Sequence, residues 1–363
     1  GKTTSYTYDP NLDRLTDVTK SVAGNQITNH YTYNNDYLSQ ITHNGFSYNF
    51  NYDSLGNLTN ILVGSQSIIQ NTYEPRTSRL ADSTYGNGQK ISYTYDNMDR
   101  VTAKKFNDNI RAAYGYDSYG NLGYYNDLIN GVSYRYFYDI RDQLTKIVDS
   151  SGNITSFDYD PAGNEKKIYD KINRYEYTTS YDYNGDNRQS QVTLNGGQTV
   201  NYNYDISTGR LFNIYTNTGA VQYTTSYTYK PNVNPSNGVT KLIKSISNGS
   251  DSPISYTYDA NGNIETITQY GKTIRYYYNE LNEVIREDNQ VLNKTIAQSY
   301  DSGGNITAKT EYAYTAGILG TPIRSYAYTY DGTWKDKLTN YDGKEITYDQ
   351  IGNPITYDRW TYT

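Results

Sequence analysis

One short alternation constrains this chain more than anything else in it: a small polar residue, tyrosine, a small polar residue, tyrosine, then an acid, as in Ser92-Tyr93-Thr94-Tyr95-Asp96. The pattern returns from one end to the other. About sixteen copies are anchored at Tyr8, Tyr33, Tyr52, Tyr73, Tyr95, Tyr116, Tyr138, Tyr159, Tyr183, Tyr204, Tyr229, Tyr258, Tyr278, Tyr300, Tyr330 and Tyr348. Self-similarity at roughly 20 to 25 residues marks an array of one supersecondary unit, in which each repeat buries its surface mainly against its neighbours.

Each unit reads as strand, turn, strand and looser turn. In Tyr114-Gly115-Tyr116-Asp117-Ser118-Tyr119-Gly120-Asn121-Leu122 the tyrosines alternate with the period of a strand. Glycine follows four residues after the anchor at Gly56, Gly120, Gly163, Gly262, Gly304 and Gly352, each preceding Asn, and glycine is the residue that turns at positive φ without steric cost. The acid beside the anchor has a local use: Asp53, Asp117 and Asp259 can accept backbone N–H groups two residues on. A short apolar run then forms the second strand, as in Leu58-Thr59-Asn60-Ile61, where Leu58 and Ile61 have opposite parity. Either both faces carry apolar groups or Leu58 belongs to the turn. Prolines and glycines interrupt the rhythm at Pro231, Pro235 and Pro253 and again at Gly317, Gly320 and Pro322, which reads as insertions at loop tips because proline cannot donate to a sheet ladder. No helical period persists. The expected fold is all-β, an antiparallel β-hairpin repeat solenoid of about thirty strands, with residues 1–363 forming one continuous array cut from something longer at both ends.

Composition narrows the function. Of the 363 residues 47 are tyrosine, so a hydrophobic fraction of 35% leaves little aliphatic material for a thick core. Tyrosine suits a single-layer sheet, with rings at Tyr136, Tyr138, Phe157 and Tyr159 stacking in a ladder across neighbouring strands and hydroxyls left in water. Scattered Lys and Arg with a net charge of −6 offer no basic stripe for nucleic acid. The absence of cysteine removes disulfides and thiolate metal sites. No apolar run reaches the roughly 18 residues of a membrane span, and Gly1-Lys2-Thr3 does not open a signal peptide.

The recurrent Y-D-x-x-G-N-L-T of Tyr52 to Thr59, with Tyr258-Asp259-Ala260-Asn261-Gly262-Asn263-Ile264 and Tyr300-Asp301-Ser302-Gly303-Gly304-Asn305-Ile306, resembles the Rhs or YD-repeat family over essentially the whole chain. The last copy, Tyr348 to Tyr357 with its Ile351-Gly352-Asn353-Pro354, is similar to the ending of bacterial members, including wall-associated proteins of Gram-positive bacteria. The resemblance implies a sheet that spirals into part of a hollow shell around a variable C-terminal toxin, and a secreted or cell-wall location. Animal relatives act in adhesion. Bacterial shells commonly end in a self-cleaving Asp-Pro-x-Gly-Leu core; Asp160-Pro161-Ala162-Gly163 is similar but continues into Asn164-Glu165 in mid-array, and reads as a repeat turn.

Candidate chemistry is sparse. His30 and His43 sit in no recognisable catalytic motif and read as surface residues near loops. Carboxylates recur once per unit, whereas an acid/base pair is a singular constellation. Asp259-Ala260-Asn261-Gly262-Asn263 places oxygens at alternate positions like a Ca²⁺ loop, yet Ile264 stands where EF-hand spacing wants glycine, so a structural turn is the reading. The expectation is a wall segment with no enzyme activity, cofactor or metal, whose partner is a toxin domain outside the chain. The alternative is an extracellular module whose exposed tyrosines stack on cell-surface glycans. Packed rings favour the former and rings isolated in wet grooves the latter.

Overall fold

The computed structural model describes residues 3–22, 25–232 and 239–362; Gly1, Lys2, Pro235 and Thr363 lie outside them. The described residues form 33 strands and no helix. Strands consecutive in sequence pair antiparallel, as in Phe46–Tyr52 with Leu58–Val63 and Leu58–Val63 with Gln66–Tyr73. By packing, the chain divides into two compact units, residues 1–109 with 274–363 and residues 110–273. In each unit the hairpin turns fall on two opposite edges. One carries the turns that follow the anchor tyrosines, called here the YD edge; the other carries the remaining turns and is the far edge.

The parity puzzle of Leu58 and Ile61 resolves into a β-bulge. Tyr52 pairs with Leu58, Thr59 is passed over, and Asn51 and Phe50 then pair with Asn60 and Ile61. Directly opposed residues share a face, so Phe50, Tyr52, Leu58 and Ile61 lie together in spite of the sequence spacing. The same slip recurs beside the anchors, for example at Tyr138, Tyr159, Tyr204, Tyr258 and Tyr300.

Few side chains leave the solvent entirely. Among the described residues the buried apolar ones are Phe46, Val63, Ala112 and Ile296. Side chains on a single layer have no second layer to cover them, and the partly buried tyrosine is the ordinary state here.

Candidate functional site

The anchor tyrosines do not form the expected ladder. Between Val132–Tyr138 and Ile154–Tyr159 runs Leu144–Asp149, hydrogen-bonded to both, so anchors of successive repeats are second neighbours about 10 Å apart. Tyr136 faces Ile147 and Phe157 faces Ile168 across the ladders. Ring pairs arise where adjacent strands both carry tyrosine: Tyr114 with Tyr125 at 5.4 Å, Tyr125 with Tyr134 at 6.0 Å, and Tyr326 and Tyr328 with Tyr341 at 6.0 and 5.0 Å. Tyr52 stacks on Tyr37, a residue of the neighbouring strand. Tyr8, at 51% exposure, lies open at the start of the chain.

Nor are the anchor hydroxyls left to water. Among the described residues at least twelve anchors donate the O–H to a main-chain carbonyl of the preceding repeat, at 2.7 to 3.0 Å: Tyr33 to Leu15, Tyr52 to Leu38, Tyr73 to Leu58, Tyr95 to Leu80, Tyr138 to Leu122, Tyr159 to Leu144, Tyr183 to Glu165, Tyr204 to Gln189, Tyr229 to Leu211, Tyr258 to Ile243, Tyr300 to Val284 and Tyr330 to Ile306. The acceptor has a fixed place. Lys146 pairs with Ser156 in the last rung of its ladder, and Leu144, two residues beyond, has a carbonyl past the end of that ladder, which the Tyr159 hydroxyl reaches. A backbone acceptor without a partner is costly, and the tyrosine hydroxyl supplies the missing donor. Partial burial pushes the hydroxyls of Tyr52, Tyr95, Tyr138, Tyr159, Tyr258 and Tyr300 above the ordinary tyrosine range, so they stay neutral donors.

The acid that follows folds the turn on itself. Asp53 Oδ1 accepts the N–H groups of Leu55 and Asn57 at 2.9 Å each, Oδ2 accepts Asn57 Nδ2 at 2.9 Å, and Gly56 N–H donates to the Asp53 carbonyl at 3.1 Å. Asp160, Asp259, Asp301 and Asp349 clasp their turns in the same way, and Asp117 does so through Oδ1 alone, because the Asn121 amide donates instead to Asp142 Oδ1 of the next turn at 2.9 Å. Asp160-Pro161-Ala162-Gly163 is thus built as a repeat turn, and the Asp259 oxygens are occupied by Asn261 and Asn263. The glycines at 56, 120, 163, 262, 304 and 352 have φ of +84° to +99°. Where a repeat lacks glycine, Asp99, Asp142, Asn187 and Asn282 take the same left-handed place at φ of 58° to 65°, which short polar side chains tolerate.

Sequence reasoning missed the residue just before the second strand. Arg79 lays its guanidinium over the next anchor ring, 4.8 Å from the Tyr95 centroid, and donates to Glu74 of its own turn and to the Asp96 carbonyl and Asp99 carboxylate of the next at 2.8, 3.0 and 2.9 Å. Arg14 over Tyr33, Arg188 over Tyr204 and Arg210 over Tyr229 repeat the arrangement. The available signal was positional: arginine at 14, 79, 100, 188 and 210 stands where other repeats have asparagine. Together the clasp, the hydroxyl and the arginine zip one repeat to the next along the YD edge.

A second zone lies inside the unit formed by 1–109 and 274–363. There YD-edge turns of the later segment meet far-edge turns of the earlier one, which defines a seam. Asn44 Nδ2 donates to Asp301 Oδ2 at 3.4 Å and Ser302 Oγ donates to Asn44 Oδ1 at 3.0 Å; Asn87 Nδ2 donates to Asp349 Oδ2 at 2.8 Å; Trp334 Nε1 donates to the Tyr48 hydroxyl at 3.0 Å; Gln66 Nε2 donates to the Gln350 carbonyl. Beside the far-edge turns, Phe46 and Val63 fall to 7% and 2% exposure. Gly303 has no room for a Cβ because the Asn44 side chain fills that space.

His30 sits within the strand Asn25–Asn34 rather than near a loop, whereas His43 ends the strand Tyr37–His43 beside the Asn44-Gly45 turn, as expected. His30 Nδ1 lies 2.7 Å from Asp17 Oδ1 across a ladder, and His43 Nδ1 lies 2.7 Å from Asn29 Oδ1. Among the described residues one ion pair stands out by burial, with Asp288 at 2% exposure. Arg286 donates from Nε to Asp288 Oδ1 at 2.6 Å and from Nη2 to the Thr315 carbonyl at 2.9 Å, while Thr295, fully buried, donates to that carbonyl at 2.9 Å and accepts the Thr315 N–H at 3.0 Å. These bonds tie the inserted segment around Thr315 over the sheet. Among the described residues no group of three or more His, Asp or Glu is placed to hold a metal ion.

No family model and no curated protein matches the chain. Solved structures do. A Tc holotoxin pore from Photorhabdus luminescens carrying a TccC3 D651A mutation superposes with a TM-score of 0.65 at 11% identity, covering 98% of this chain and 24% of that one. A crystal structure of TcdB2-TccC3-Cdc42 gives 0.57 at 13% identity, covering 97% and 22%, and one of TcdB2-TccC3-TEV gives 0.54 at 13%, covering 93% and 20%. The chain spans under a quarter of the length of those proteins and has the fold of the section it matches.

Proposed function

We propose that this chain is a non-catalytic wall segment of a YD-repeat shell that encloses and helps deliver a toxin domain lying elsewhere in the full-length protein. The observation that carries the reading is the commitment of the repeated chemistry: anchor hydroxyls are spent on carbonyls of the preceding repeat and the turn carboxylates on their own backbone. A carboxylate already accepting three or four bonds is a poor general base, and a tyrosine holding a backbone carbonyl is a poor acid. The fold shared with Tc toxin proteins supports the same reading. A secreted or cell-wall location in a bacterium goes with it.

A second reading, binding of cell-surface glycans, is favoured by one place. Tyr37, 41% exposed with one face stacked on Tyr52, borders a groove of about 570 Å³ whose walls include the amides of Asn34, Asn35, Gln40, Asn49 and Asn51 and the Asp53 carboxylate. An aromatic face beside neutral amides suits a sugar ring. The two readings separate in one experiment on the full-length protein and on this chain. Limited proteolysis of the former should leave the segment beyond the repeats intact until the repeats unfold, and the latter should bind nothing on an oligosaccharide array. Cleavage of that segment as fast as when it is expressed alone overturns the wall, and array binding abolished by Tyr37→Ala establishes the second reading in its place.

A further inference from the structure

The seam within the unit of residues 1–109 and 274–363 joins two unlike edges, and the same unit leaves one more of each exposed. At the third position of the YD-edge turn, Leu281 and Ile351 are half-buried in the later segment, with Leu281 sharing a small cavity with Val18 and Ile27 and Ile351 lying against Gly86. The equivalent residues of the earlier segment are Leu55 and Met98, at 67% and 72% exposure; Leu12, in the longer turn of the first repeat, is at 57%. On the far edge the order is reversed. Phe46 and Val63 of the earlier segment are covered, whereas Val291 and Leu292 of the later one stand at 56% and 59% and Ile318 at 96%.

The polar half of the seam is also available in duplicate. Inside the seam a turn aspartate keeps its own asparagine on Oδ2 and accepts a second asparagine from the far edge through the same oxygen: Asp301 holds Asn305 and Asn44, and Asp349 holds Asn353 and Asn87. Asp53 holds Asn57 through Oδ2, which has a second lone pair. On the exposed far edge Asn293 has φ of 52°, as Asn44 has 48°, and lies in solvent.

We infer that the exposed YD edge around Leu55 and Met98 is a docking surface for a second copy of this chain, which seats on it the far edge around Val291, Leu292 and Asn293. Continuity with the internal seam commits the occupant: the second copy presents the same kind of edge that Phe46, Val63 and Asn44 present to Asp301 and Ile351. The two surfaces differ, so the contact is heterologous and propagates head to tail. This rests on reading the edges as joints between stretches of wall. It is nevertheless tested apart from that reading, because a chain that stays monomeric can still line a shell.

The test is sedimentation velocity of the isolated chain up to about 1 mM, a range that captures weak interfaces. Wild type should pass from monomer through dimer to longer species as concentration rises. Leu55→Asp with Met98→Asp blocks one edge and Leu292→Asp the other, each weakening self-association at least about tenfold; all are exposed, and an unchanged circular dichroism spectrum and melting temperature verify folding. An equimolar mixture of the two blocked variants should form dimers and nothing larger, since one competent edge of each kind remains. A wild type that is monomeric throughout overturns the inference. So do blocked variants that associate like wild type, which would locate the contact at the open backbones of the terminal strands, and so does a mixture that stays monomeric.

Discussion

At the scale of single residues, the hydroxyl of the anchor tyrosine separates this array from a merely aromatic one. Tyr138→Phe keeps the ring and removes the donor to the Leu122 carbonyl, leaving a half-buried acceptor unpaired; a loss of about 1 to 2 kcal/mol is expected in urea unfolding. Tyr119→Phe is the control, because that ring is 86% exposed at a turn tip, and it should change stability by under about 0.5 kcal/mol. Equal effects would remove the hydroxyl from the account. The sequence displays the period of these tyrosines plainly and hides the use of the hydroxyl. The acceptor is a backbone atom about 15 to 18 residues earlier, on another strand, and every residue type carries the same carbonyl. The ladder of Tyr136, Tyr138, Phe157 and Tyr159 failed for a related reason: a period of one hairpin places successive anchors two strands apart, with Leu144–Asp149 between them.

Turns belong to the next scale, and there the sequence says more. Gly120 lies at φ of +99°, where a β-branched side chain meets its own backbone, while Gly317 in the inserted segment has no positive φ and open space but for Thr315 Oγ1 at 3.7 Å. Gly120→Val should therefore cost roughly 2 kcal/mol and Gly317→Val well under half of that, read as melting temperatures by differential scanning calorimetry. Matching temperatures would count against the turn assignment. Glycine is legible because few other residues turn this way; its substitutes Asp99, Asp142, Asn187 and Asn282 were harder to see, since aspartate and asparagine are common throughout. The bulge at each anchor was illegible from one strand alone, because a skipped rung exists only between two strands. Arg286 with Asp288 was missed likewise: what sets the pair apart is the Thr315 segment folded onto it from 29 residues away.

For the whole molecule the repetition turns small local shifts into a pH response. Hydrogen bonds from Asn57 hold Asp53, and from Asn164 hold Asp160, below the usual carboxylate range, and Ser207 and Thr208 hold Asp205 at about 2. For a lowered carboxyl the stabilisation is complete above the unfolded value of about 3.9 and is lost as pH falls through the folded one. Tyrosine runs the other way. Burial raises Tyr95, Tyr138, Tyr159, Tyr258 and Tyr300, so their contribution is complete below about 10 and disappears as pH climbs through the folded values, when the unfolded chain ionises first and the hydroxyl that holds the preceding repeat's carbonyl becomes an acceptor. The melting temperature should hold a plateau from about pH 5 to about 9 and fall on both sides. Net charge alone also destabilises at extremes of pH, but that repulsion is screened, whereas protons on hydrogen-bonded groups are not displaced by salt. Raising NaCl from about 0.1 to 1 M should therefore leave both shoulders in place. Shoulders that flatten in salt would show that the repeats respond to overall charge and that the clasp and the tyrosine hydroxyl contribute little.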